Sequence, residues 1–117
     1  MKLVLTLLLF TAILSGCNTT PPPMYMYENY SESFYNLKKV SGDESDAQWQ
    51  SSLESIIKKS NAKAVRVPPG IYANLGYIQL KANHYSKAIE FFEQEKSTYP
   101  ESSRFMENLI QKAKAKG

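Results

Sequence analysis

The chain has 117 residues, 14 Lys+Arg against 11 Asp+Glu, one His and one Cys, a length that suits one domain rather than two. With 43% hydrophobic and 12% aromatic residues, a folded body is expected rather than disorder. One Cys and one His exclude an internal disulfide, a Cys-rich zinc site and His-pair metal motifs, and a net charge of +3 without a block of Lys/Arg gives no footing for nucleic acid.

The first segment, residues 1–16, is Met1-Lys2, an apolar run Leu3–Leu14, then Ser15-Gly16. The run carries no charge and only two Thr. Its length falls short of the ~20 apolar residues that cross a bilayer core and suits the h-region of a secretory signal peptide. Leu14-Ser15-Gly16-Cys17 then resembles the bacterial lipobox. The resemblance implies cleavage between Gly16 and Cys17. It also implies a diacylglycerol thioether on the Cys17 sulfur and, in many bacteria, an acyl chain on the freed amine. Two or more chains anchor a protein stably where one does not. Asn18, rather than Asp, at the next position implies sorting to the outer membrane. Removing residues 1–16 leaves 101 residues and, with Lys2 gone, a charge of +2. No other cofactor is expected.

Residues 17–29 hold the lipidated Cys and a tether. Asn18-Thr19-Thr20-Pro21-Pro22-Pro23 cannot form a helix and favours extended polyproline geometry. Met24–Tyr35 then gathers Tyr25, Tyr27, Tyr30, Phe34 and Tyr35 with Met24 and Met26. Two readings stand: an interface to a partner or to lipid headgroups, or a flap packed back on the body because a small domain needs its aromatics buried. Tyr30, Phe34 and Leu37 recur at helical spacing and predict a short helix over 30–39, capped by Asn29 or Ser31.

The helical domain is expected over 30–117, all-α. After a loop at Ser41-Gly42-Asp43, Trp49, Leu53, Ile56 and Ile57 form one apolar face of a helix near 44–63. Val65-Arg66-Val67-Pro68-Pro69 must end it. The stretch Pro69–Pro100 resembles a tetratricopeptide repeat. Tyr72 stands where Trp is usual, Leu75-Gly76 matches the Leu-Gly pair, and Asn83 marks the turn before Tyr85. Ala88 and Phe92 take the small and large positions of the second helix. Gln79 replaces an aromatic and Glu95 an Ala, which suggests that the array stops here. Residues 101–115 carry a stripe of Phe105, Met106, Leu109, Ile110 and Ala113, as a capping helix needs. By analogy with tetratricopeptide repeats, the partner-binding groove is expected at Ala73, Tyr77, Leu80 and Lys81.

Three further blocks occur in order with the lipobox and the Pro-rich spacer. They are Tyr30-Ser31 with Phe34-Tyr35, Val67–Tyr77, and Phe91–Lys96 with Tyr99-Pro100-Glu101-Ser102. Together they resemble a family of small, functionally uncharacterised proteobacterial lipoproteins with a repeat-like helical domain. The chain departs from it where Tyr27-Glu28 replaces a Trp-Gly pair. Members stand beside a lipoprotein similar to the curli export channel. The resemblance implies an outer-membrane protein, facing the periplasm, that scaffolds or assembles an envelope lipoprotein complex. The alternative is a pilotin-like lipoprotein escorting a secretin or pilus subunit.

No catalytic set is expected. The lipid consumes Cys17, and His84 falls in a turn. Glu90 and Glu93 form a solvated face with Lys87 and Lys96. There is no Gly-rich phosphate loop and no nucleophile elbow.

Overall fold

The computed structural model describes residue 1, residues 20–39 and residues 43–117. The apolar leader, Gly16 and Cys17 lie outside the described residues, as do Ser41 and Gly42. The described residues form an all-α protein. Its helices are α1 (Tyr30–Lys39), α2 (Asp43–Ala62), α3 (Ile71–Lys81), α4 (Tyr85–Thr98) and α5 (Ser103–Lys116), with a 3-10 turn at Pro100–Ser102 before α5. None is long and apolar enough to cross a membrane.

Two helices end in the same way. At the end of α2, Ala64 has φ 51°, and its N–H reaches the Asn61 carbonyl at 3.1 Å while the Val65 N–H reaches Ser60 at 3.0 Å. At the end of α3, Asn83 has φ 61°, with Asn83 N–H to Leu80 at 3.2 Å and His84 N–H to Gln79 at 2.9 Å. Both are Schellman stops, which satisfy carbonyls that the helix leaves open. Asn suits the left-handed conformation; Ala does not. The sequence expects α2 to end near residue 63, ahead of the prolines, and it ends at Ala62, just before this strained Ala64.

The start of α3 also differs from the expected opening at Pro69. Gly70 adopts φ 86° and has no side chain to cap with. The cap arrives from α4: Glu95 Oε1 accepts the Gly70 N–H at 2.7 Å and Oε2 accepts the Ala73 N–H at 3.3 Å. A carboxylate at a helix N-terminus satisfies orphan donors and suits the dipole. So Glu95, only 3% exposed, works inside the domain. Gln79 does likewise. Its amide oxygen meets His84 Nδ1 at 3.0 Å and its amide nitrogen donates to Gln50 Oε1 at 3.4 Å.

Helix α3 separates two core clusters. One side packs Ile71 and Leu75 against Trp49, Leu53 and Ile56 of α2 and against Val67, with Tyr30 and Leu37 of α1 on the margin. The other joins Ala88 and Phe92 of α4 to Met106 and Ile110 of α5. Helices α3 and α4 approach closely at Gly76, where an added Cβ would stand 2.5 Å from a Phe92 ring carbon. Phe105 does not join the stripe expected of α5: it is 62% exposed, while its neighbour Met106 is buried. Adjacent residues on a helix point ~100° apart, so only one of them can face a narrow contact.

Candidate functional site

The residues ahead of α2 lie antiparallel along it. The Ser33 and Ser52 hydroxyls share a hydrogen bond of 2.7 Å, Glu28 pairs with Lys59, and Lys63 Nζ lies 3.9 Å from Met26 Sδ. Tyr30 meets Trp49 edge-on at 5.0 Å, and Phe34 lies 5.5 Å from the same indole. The Tyr30 and Phe34 rings are nearly parallel, at 7° and 6.3 Å. Such ring contacts add modestly to the area they bury. Burial, and then the neighbouring Tyr27, raise the Tyr30 pKa, and a hydrogen bond from Asn74 offsets part of that. The aromatic segment is therefore partly core and partly surface: Tyr30 is half-buried, while Phe34, Tyr35 and Tyr27 are exposed.

Where α1, α2 and α3 meet, a crevice of about 450 Å³ opens. Phe34, Leu37, Trp49, Tyr77 and Ile78 give it apolar walls, and Lys38, Asp46, Asn74 and Lys81 give it a polar rim. Lys81 Nζ lies 3.4 Å from Asp46 Oδ2, tying the end of α3 to the start of α2. Lys38 stands over the Phe34 ring at 5.5 Å. Tyr77 is 55% and Phe34 40% exposed. Apolar rings thus stand open to solvent beside cations and one carboxylate, a mixture that protein-binding surfaces also present.

The four residues expected to line a groove fall on two sides of α3. Ala73 and Leu80 are partly buried against the Ala88, Phe92, Met106 and Ile110 cluster. Tyr77 and Lys81 line the crevice with α1 and α2. The structure thus joins Tyr77 and Lys81 to Phe34, Leu37, Lys38 and Trp49, which the repeat analogy alone does not supply. The only available signal was the pairing of rings at Tyr30 and Phe34 with the single Trp of the chain.

A second concavity, about 640 Å³, lies between the start of α4 and the end of α5, beside His84, Tyr85, Ala113 and Lys114. His84 points its Nδ1 at the Gln79 amide oxygen. Among the described residues, no cluster of three His, Cys, Asp or Glu could hold a metal ion.

The class of protein is thus an all-α domain built on a tetratricopeptide-like helical hairpin, closed by α5 on one side and by α1 and α2 on the other. The chain belongs to the family of the domain of unknown function DUF4810, whose signature matches residues 24–109. That match begins at Met24 and so takes in the aromatic segment. No curated protein and no solved structure matches the chain.

Proposed function

We propose that this protein is a lipoprotein of the outer membrane, held by lipid on Cys17, that serves as a scaffold or assembly factor for an envelope lipoprotein complex. The observation that carries the reading is the string Leu14-Ser15-Gly16-Cys17 behind an uncharged apolar run. It gives the single Cys of the chain a use, where an exposed thiol in an oxidising compartment would be a liability. The body supports a binding role rather than a chemical one. The crevice between α1 and α3 offers Phe34 and Tyr77 as anchors, with Lys38, Lys81 and Asp46 at its rim. A lipoprotein similar to the curli export channel is the partner that the family resemblance implies.

Two measurements test this. Radioactive palmitate should label the native chain and not Cys17→Ala, and the label should follow the outer-membrane fraction; an unlabelled native chain rejects the anchor. Affinity capture of the lipidated protein should recover an envelope lipoprotein. Tyr77→Ala combined with Phe34→Ser should lose it while helical circular dichroism stays unchanged. Capture that survives the double substitution rejects the crevice as the binding face.

A further inference from the structure

The chain between Cys17 and the domain is short, and the structure fixes where it leaves the body. Thr20–Pro23 and Met24 are exposed. From Tyr25 onward the chain is fastened. The Tyr25 and Tyr27 rings meet at 6.0 Å and the Tyr27 and Tyr30 rings at 5.7 Å. Met26 lies against Lys63, Glu28 pairs with Lys59, and Tyr25 stands beside Tyr99. Apart from Tyr30, which reaches Trp49, these partners lie at one end of the body. There the Tyr99 hydroxyl donates to the Val67 carbonyl at 2.7 Å, Arg66 covers the Tyr99 ring at 5.6 Å, and Glu95 caps α3. The other end carries the Lys81–Asp46 pair and the turn at His84.

We infer that the end bearing Tyr25, Met26, Lys63 and Arg66 faces the phospholipid headgroups, and that the opposite end, with the mouth of the Phe34–Tyr77 crevice, faces away. This rests on the lipid anchor at Cys17. The seven steps from Cys17 to Met24 span roughly 22 Å at the polyproline rise and no more than about 25 Å fully extended. Helix α2, with 20 residues, is about 30 Å long. A body turned upside down would lift its tethered end a full helix length above the surface, farther than the tether reaches. The chemistry of the tethered end agrees. Lys63, Arg66 and Arg104 are exposed there with two exposed carboxylates, Glu101 and Glu28, and Glu28 is paired with Lys59. Exposed Met24 and Tyr27 suit the boundary between headgroup and acyl chain. Cations beside them suit anionic phosphate.

The test uses the full lipidated chain in vesicles of phosphatidylethanolamine and phosphatidylglycerol with a quencher on the headgroups. Once Cys17 carries lipid, an introduced Cys is the only free thiol, so Asn61→Cys and Ser86→Cys each take one fluorophore. Both positions are exposed and neither fastens the segment. The probe at position 61 should lose most of its fluorescence and that at 86 little. Glu28→Lys should narrow the difference, and Glu28→Lys with Lys59→Glu should restore it. Flotation of the vesicles is read first. A native chain that fails to float removes the anchor and the orientation together. A chain that floats, with both probes quenched alike or position 86 quenched more, overturns the orientation alone.

Discussion

The two sides of α3 are closed in different ways. Toward α4 the contact is dry: Ala88 and Phe92 are fully buried, and Gly76 leaves no room for a methyl group. Toward α1 the cover is loose. Helix α1 has no fully buried residue, and rings, one hydroxyl pair and surface ions hold it. Buried area sets how much opening a segment costs, so the hairpin carries stability while α1 and the aromatic segment carry position. This arrangement suits a binding face, because the crevice lies on the side that opens more easily.

Truncating the dry side has the largest effect. Phe92→Ala should cost about 3–5 kcal/mol through lost burial and a cavity, read as a drop in the urea midpoint. Gly76→Val should cost about 1–3 kcal/mol or more through overpacking against Phe92. If either variant unfolds at the native midpoint, the contact is not what holds the domain. The buried cap comes next. Glu95→Ala strands the Gly70 and Ala73 N–H groups and should cost about 1–3 kcal/mol. Glu95→Gln should cost less, since its amide oxygen can still accept from Gly70.

Periodicity made most of this fold legible. Trp49, Leu53 and Ile56 are buried together on the face that their spacing implies, and the small Gly76 and Ala88 sit where two helices meet. Three features escaped for physical reasons. The cap from Glu95 spans 25 residues, and no local pattern encodes a partner that far away. Ala64 takes a left-handed conformation that its residue type disfavours, so nothing in the residue itself announces this form of stop. Helix α3 is apolar on both sides, with Ile71 and Leu75 toward α2 and Ala73 and Leu80 toward α4 and α5. A repeat analogy names one open face. Which face is open depends on where α1 settles, and that depends on rings meeting Trp49 rather than on spacing along α3.

Alkaline titration probes the junction between the two regions. Burial first, and then contact with Tyr25, raise the Tyr99 pKa above the ordinary tyrosine value of 10.0. Tyr30 and Tyr72 shift the same way, chiefly by burial. A group raised on folding contributes stability that is complete below its unfolded value and is lost as pH climbs through its folded one. Stability should therefore hold up to about pH 10 and fall beyond it. Tyr99→Phe should cost about 1 kcal/mol at neutral pH, the worth of its hydrogen bond to Val67, and should flatten the alkaline fall. An unchanged alkaline slope would mean that Tyr99 does not titrate with unfolding.

The smallest effect on global stability should come from the loose side, and there the readout must be local. Ser33→Ala removes the hydroxyl pair with Ser52, and Glu28→Gln removes an exposed ion pair. Each should move the global midpoint by less than about 0.5 kcal/mol, as surface pairs do. Amide exchange should separate the regions. Exchange over residues 30–39 should quicken in both variants, while amides of α4 keep the native rate, because opening α1 leaves the Phe92 contact intact. Equal acceleration in α1 and α4 would show one cooperative unit. Acceleration confined to α1 would show that the cover over the crevice can lift while the hairpin stays folded, so a partner entering between Phe34 and Tyr77 would need only α1 to yield.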